Sequence, residues 1–261
     1  MIEKIAKQEN RPPIVVAYGG GTDSTAMILA CHEKGIPIDS IIFADTGGER
    51  PSTYKFIEIF NVWLKNNGYN EIVVVKAKNN LYDTMIKRQT IPSVAFGGKT
   101  CSIEFKQKPW NKFIKQWEPA KQAWLQGQKV IKLVGFDASE SRRAKQFENE
   151  LFQNSYPLIE WQIDRFLCTE IIKKHGLPQP GKSACFFCPM HRKNDVLKLN
   201  QEYPELMQKA LMMEQNMKIT GNTIGLGRGY KWKELIEENE RTMKLATLFD
   251  EAMPCGCYDG D

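Results

Sequence analysis

Ile14-Val15-Val16-Ala17-Tyr18-Gly19-Gly20-Gly21-Thr22-Asp23-Ser24-Thr25 is the stretch on which the fold turns. Its first four residues are a short, mostly β-branched run of the kind that fills a parallel sheet buried on both faces. Three glycines follow, and Ser24 to Lys34 reads as a helix ended by Gly35 and Pro37. A strand passing through glycines into a helix N-terminus makes an anion site. Free N–H groups point outward, the helix dipole favours negative charge, and glycines let the backbone approach a phosphate. Taken alone, the turn fits a structural role equally well. No Gly-Lys-Ser/Thr ending follows the glycines, which excludes a Walker A loop, and the helix-packing glycine of dinucleotide-binding turns is missing.

The same alternation continues outward from this turn. Ser40-Ile41-Ile42-Phe43-Ala44 is a second strand ending in Asp45-Thr46-Gly47-Gly48, and Pro51 opens a helix through Asn66. Glu71 to Val75 is a third strand, and Val130 to Val134 a fourth that runs into Gly135 and Phe136. Strands alternating with helices predict an α/β fold with a doubly wound parallel sheet. Ligands of such sheets bind beyond the carboxyl ends of the strands, so Gly19–Ser24, Asp45–Gly48 and Gly135–Ser141 are expected on one rim. From about Leu151 prolines and glycines punctuate short elements, and helices are expected over Lys193–Lys218 and Lys231–Phe249. The expected organisation is a nucleotide-binding α/β domain over residues 1–150 and a mostly helical C-terminal lobe over 151–261. Met207, Met212, Met213 and Met217 read as helix packing, and Cys31 and Cys168 as small buried residues.

At 261 residues and 42% hydrophobic, the chain is long enough for one substantial core. Its N-terminus mixes charged and apolar residues unlike a secretion signal, and no run approaches the roughly 18 to 20 apolar residues of a membrane span. A cytoplasmic protein with no membrane partner is expected. The net charge of +5 is uneven: segment 99–145 holds eleven Lys or Arg against four Asp or Glu, a local +7 that leaves about −2 elsewhere. Such a segment suits a phosphate-rich partner or is simply a solvated surface. Trp110, Trp117 and Trp124, spaced by seven within it, read at least in part as helix packing.

Further motifs occur in one order along the chain. Val16–Thr25 resembles the Ser-Gly-Gly-x-Asp-Ser signature of PP-loop ATP-pyrophosphatases, with Gly19 in place of the usual serine. Asp45-Thr46-Gly47 with Pro51 and Tyr54 resembles the Asp-Thr-Gly motif of the phosphoadenosine phosphosulfate (PAPS) reductase branch. Thr100-Cys101-Ser102 with Lys106 and Pro109, and Gly135 with Glu140-Ser141-Arg142-Arg143-Ala144, resemble two more of that branch's motifs, although Asp137 replaces an arginine. The resemblance spans about residues 14–190 and implies an adenine nucleotide alpha hydrolase-like fold. It implies ATP bound by Tyr18, Gly19, Gly20, Gly21, Thr22, Asp23, Ser24 and Thr25, with Asp45, Thr46, Gly47, Gly135 and Phe136 around it. Asp23, Lys106, Arg142 and Arg143 are the candidate catalytic residues. Asp23 would hold Mg²⁺ or cap the helix starting at Ser24, Lys106 would neutralise developing charge, and the arginines would clamp phosphate.

Lys182-Ser183-Ala184-Cys185-Phe186-Phe187-Cys188-Pro189 is the second strong signal. Two thiolates in a turn can share one metal but cannot complete a tetrahedral site. PAPS-reductase-like proteins pair this segment with the Thr-Cys segment and a late Cys-Gly. The resemblance therefore implies Cys101, Cys185, Cys188 and Cys255 as ligands, with Cys257 as the alternate for the last. Four thiolates suit a [4Fe–4S] cluster or Zn²⁺, and the resemblance favours the cluster.

PP-loop enzymes adenylate an oxygen and a nucleophile then displaces AMP. The nearest fit in motif set is the ATP-pyrophosphatase of DNA phosphorothioation systems, which implies sulfur insertion into a DNA phosphate, a cysteine desulfurase as sulfur donor, and DNA held by segment 99–145. Three alternatives stay open: tRNA thiolation, a PAPS or APS-type sulfonucleotide reductase, and a catalytically quiet nucleotide-binding subunit.

Overall fold

A computed structural model of the chain describes residues 1–92, 100–144, 148–218 and 224–252. The chain forms two compact units, one from residues 1–81 and 100–185, the other from 82–99 and 186–261.

The first unit is built on five parallel strands: β1 (Ile14–Tyr18), β2 (Ser40–Asp45), β3 (Val73–Lys76), β4 (Val130–Val134) and β5 (Phe152–Ser155), in the order β3-β2-β1-β4-β5. After a short α1 (Ile2–Ala6), α2 (Thr22–Glu33) and α3 (Pro51–Asn66) follow β1 and β2. Helix α4 (Leu81–Arg88) starts at the division between the units. Then come α5 (Thr100–Ser102), a π turn over Ile103–Gln107, α6 (Lys108–Gln116), α7 (Glu118–Leu125), a 3₁₀ turn over Ala138–Arg143, α8 (Pro157–Glu160) and α9 (Arg165–Lys174).

Alternation along the strands sends side chains to opposite faces. Ile14, Val16, Tyr18, Ile41, Phe43, Ile131 and Leu133 pack with residues of α2, α3 and α9, among them Met27, Phe60 and Ile172. Val15, Ile42, Val130 and Phe152 face the other way, onto Trp110, Ile114 and Ala120. Trp117 and Trp124 are partly buried against this second cluster, so all three tryptophans pack on the sheet. The strand order reverses at β1, which is flanked by β2 and β4, and this is the switch point where sheets of this kind leave a crevice.

Two sequence expectations shift. The boundary at residue 150 does not coincide with the division in the structure: β5 pairs with β4, and the first unit runs on to Cys185. Phe152-Gln153-Asn154-Ser155 has one apolar residue in four, so its pattern hides an edge strand. The helix expected over Lys193–Lys218 is two, α10 (Lys193–Glu202) and α11 (Pro204–Asn216), because Pro204 cannot donate the backbone bond that would continue the first.

The second unit is mostly helical and includes α12 (Trp232–Ala252). The Glu214 carboxylate of α11 is buried and accepts the amides of Leu226, Trp232 and Lys233, which fixes the entry to α12. Met207 and Met213 are buried and Met212 is exposed. Among the described residues, no helix is long and apolar enough to cross a membrane.

Candidate functional site

The glycine turn carries β1 into α2 with the backbone arranged for an anion. Helix α2 is capped at Gly21 with no side-chain hydrogen bond, so its first-turn amides have no side chain to satisfy them. Asp23 therefore lies inside the helix and does not cap it, a correction to one of its two expected roles. Inside the turn, the Gly19 amide donates to Ser24 Oγ at 3.3 Å, and Ser24 and Thr25 hydroxyls donate to the Gly21 carbonyl. Tyr18 Oη shares a buried hydrogen bond of 3.0 Å with Thr25 Oγ1, and burial pushes the phenol's pKa up.

Three glycines are required here for separate reasons. Gly20 has φ +71°, the left-handed region, and a Cβ there would lie 2.9 Å from Thr53 Cγ2. A Cβ on Gly21 would meet Ser183 Oγ at 2.5 Å. Gly135, just past β4, would bring a Cβ within 2.8 Å of the Ser24 backbone nitrogen, so β4 and the start of α2 touch main chain to main chain. Ser183 thus places a hydroxyl beside the turn from which Gly19 has removed one.

Asp23 is engaged by Arg165 at 2.5 Å. Burial raises its pKa, the Arg165 charge opposes this, and Asp137 and Glu140 add to the rise. Asp137 is buried and accepts from the amide and hydroxyl of Ser139, capping the 3₁₀ turn where the resemblance had an arginine. Arg142 is exposed, and Arg143 pairs with Glu140 while its guanidinium sits 4.4 Å from the Phe136 ring centroid.

Asp45-Thr46-Gly47 is a brace. Burial works to raise the Asp45 pKa, but bonds from the Gly47 amide, Tyr54 and Lys76 outweigh it and hold the carboxyl below its usual range. Thr46 Oγ1 lies 3.1 Å from Cys185 Sγ, which is itself 4.0 Å from Glu49 Oε1. The Glu49 carboxylate is 1% exposed, and burial raises its pKa against the opposing charge of Lys106 at 3.4 Å. For Lys106, burial lowers the pKa, but Glu49, Cys185 and Cys101 together raise it more. Two of the four expected thiols therefore act on one lysine. Cys188 belongs to the second unit, and Cys255 and Cys257 lie outside the described residues. Among the described residues no group of three or more Cys, His, Asp or Glu could hold a metal ion. Two thiols alone do not complete a tetrahedral site.

Beside the turn, on the α6 face of the sheet, lies a cavity of about 690 Å³. Gly19, Phe136, Lys132, Phe152 and Trp110 are among the residues that line it. Lys106, Lys115, Lys132 and Arg143 line it, and no carboxylate does among the described residues. Of the basic segment 99–145, these four face the cavity, Lys121 and Lys129 are in ion pairs with Glu118 and Glu148, and Lys99 and Lys145 lie outside the described residues.

Sequence reading missed Glu49, Arg50, Arg165, Lys132 and Asn154. Glu49 and Arg50 are adjacent charges just before the helix-opening Pro51 and are both buried, a placement in which a charge needs a reason. Lys132 is a charge inside an otherwise apolar strand, which was a usable signal. Nothing in the sequence pointed to Arg165.

The family description "Phosphoadenosine phosphosulfate reductase domain" matches residues 13–180. Two uncharacterized proteins of Methanocaldococcus jannaschii are similar to the chain, at 27% identity over 223 residues and 24% over 250. These alignments take in 79% and 89% of this chain but only 41% and 54% of the relatives, so it spans about half their length. Among solved structures, a phosphoadenylyl-sulfate reductase from Candida auris in a phosphate complex aligns with a TM-score of 0.46 at 17% identity, covering 68% of this chain and 81% of that one. The U34-tRNA thiolase NcsA from Methanococcus maripaludis with its [4Fe-4S] cluster aligns with a TM-score of 0.45 at 14% identity, covering 100% and 81%.

Proposed function

The chain belongs to the phosphoadenosine phosphosulfate reductase domain family, and from that membership we propose that it binds ATP and splits it to AMP and pyrophosphate while adenylating an oxygen that sulfur then replaces. One observation carries this reading: a helix N-terminus with no side-chain cap, behind a glycine turn, opens beside a cavity lined, among the described residues, by four cations and no carboxylate. Such a site suits a polyanion with a flat ring attached. In the proposed reaction the acceptor oxygen attacks the α-phosphorus, pyrophosphate leaves, and the new bond joins acceptor to AMP. A sulfur nucleophile then displaces AMP, taking the place of the activated oxygen. The turn amides would hold the phosphates, Mg²⁺ would neutralise their charge, and Lys106 and Arg143, which line the cavity, would offset developing charge.

The proposed acceptor is a DNA phosphate oxygen, with persulfide sulfur delivered by a cysteine desulfurase in the cytosol, where thiols stay reduced. The persulfide's outer sulfur bonds to phosphorus as AMP leaves, and a free thiol such as cysteine then cleaves the remaining S–S bond, becoming a disulfide and leaving the phosphorothioate. A [4Fe–4S] cluster on Cys101, Cys185, Cys188 and Cys255 belongs to the same proposal, and adenylation does not depend on it. The test is AMP and pyrophosphate formation by the full chain with ATP, Mg²⁺, desulfurase, cysteine and either DNA or tRNA. DNA-dependent release, with phosphorothioate found in the digested DNA, is the expected result. Release with tRNA alone moves the acceptor to tRNA, and no release with either sinks the pyrophosphatase reading.

A further inference from the structure

One ammonium group in the sheet has no counter-charge. Lys132 is the third residue of β4, a strand paired on both sides, and it lines the cavity two residues before the strand ends. Its Nζ lies 4.2 Å from the centroid of the Trp110 ring. No hydrogen bond or ion pair reaches it among the described residues. A half-buried ammonium without a partner carries a desolvation cost, and burial here brings its pKa down to about 8. A hydrophobic residue at this position would pack against Val15 and Phe152 without that penalty. A strand-interior lysine whose head meets only a ring and an open cavity is placed to meet a ligand.

The neighbouring strand supplies a complement. Asn154 is the register partner of Lys132 on β5 and lines the same cavity. Its amide nitrogen donates to Tyr156 Oη at 3.2 Å, which leaves the side-chain oxygen as an acceptor. A donor and an acceptor thus stand at one level across two strands. Gly19 lies four residues beyond Val15, the β1 partner of Lys132, roughly 13 Å along the strand at about 3.3 Å per residue. That is the reach of a nucleotide from its phosphates to the far edge of its base.

We propose that Lys132 and Asn154 read the edge of the purine, Lys132 donating to a ring acceptor and the Asn154 oxygen accepting from the exocyclic amine. The inference rests on the nucleotide reading of the glycine turn. Adenine fits because it sets a ring nitrogen acceptor beside its amine. Phosphate binding at the turn and base reading at the cavity floor are then separable functions of one site.

The experiment compares binding of ATP, purine riboside triphosphate (which lacks the amine) and tripolyphosphate to the wild-type chain and to Lys132→Met, Lys132→Gln and Asn154→Ala. Lys132→Met should weaken ATP roughly 10- to 100-fold and leave tripolyphosphate unchanged, with Lys132→Gln, which keeps a donor, in between. Wild type should prefer ATP to the amine-free analogue, and Asn154→Ala should erase that preference. Thermal melting of each variant identifies any that fail to fold, and the Gln variant keeps the test open if Met disturbs the strand. Unchanged ATP binding by Lys132→Met overturns the inference. Equal loss of tripolyphosphate overturns it too, by assigning Lys132 to phosphate. A folded wild type that binds tripolyphosphate but prefers no purine removes the base-reading role alone, whereas one that binds none of the three ligands removes the nucleotide reading with it.

Discussion

The two faces of the sheet are made by the same strands and differ by one residue in register. On the face toward α2, α3 and α9, Ile14, Val16 and Leu133 are fully buried and meet Met27, Phe60 and Ile172. On the face toward α6, the residues between them are Val15, Ala17, Lys132 and Val134, and beyond a small apolar cluster that face is hollow. The closed face is filled by large side chains at interior density, which is what a parallel sheet needs for stability. The hollow face carries a small residue where β1 ends, a lysine in mid-strand, and an asparagine on the edge strand. On the proposed reading, stability and binding are divided between alternate residues of single strands, so each can be altered without the other.

Adjacent residues on β4 give the largest test. Leu133→Ala should destabilise the chain by about 2–5 kcal/mol, and Val134→Ala, on the cavity side, by less than about 1.5 kcal/mol. Denaturant unfolding measures both, and equal losses would break the comparison. A second test fills the hollow. Ala17→Leu should lower ATP affinity at least tenfold, about 1.4 kcal/mol, because the added carbons enter the cavity. Ala26→Leu, at a fully buried position of α2, should instead cost about 1–3 kcal/mol of stability through overpacking. If Ala17→Leu destabilises as much as Ala26→Leu while binding holds, the cavity is not the ligand's place.

The strands that decide this division were legible because they are mostly apolar, and β1 and β4 run straight into Gly19 and Gly135. Four of five strands and the helices after β1 and β2 follow from that pattern. β5 escaped it, since an edge strand beside a cavity has no need of apolar alternation and Gln153 and Asn154 conceal it. The glycine turn was readable as an anion site from its residues, yet the reasons for Gly20 and Gly135 are contacts with Thr53 and the Ser24 backbone, distant in sequence. Asp23 shows the limit most plainly. Its place in the motif suggested a metal or a cap, and its partner Arg165 stands 142 residues away in a stretch with no motif. Cys185 stood out by its spacing from Cys188 and Cys101 by the family resemblance, but Glu49, which acts with both on Lys106, was invisible until the chain folded.

The smallest effect expected is a pH dependence confined to the hollow face. Burial lowers Lys132 from the ordinary 10.5 to about 8, and the charged groups facing the same cavity are Lys106, Lys115 and Arg143, with Tyr18 and Tyr156 also titratable. Between about pH 8 and 10.5 the folded chain has released a proton that the unfolded chain still holds. The unfolded state then binds more protons, so Lys132 makes stability rise with pH across that window and contributes no slope below it. Other groups titrate there too, so the quantity to measure is the stability of wild type minus that of Lys132→Met. The difference should favour the variant below pH 8 and shift toward wild type as pH climbs to 10.5, modestly, because solvent in an open cavity screens the charge. A flat difference would mean the ammonium is as well solvated as a surface lysine. The hollow face would then be an ordinary groove, with no site built into it.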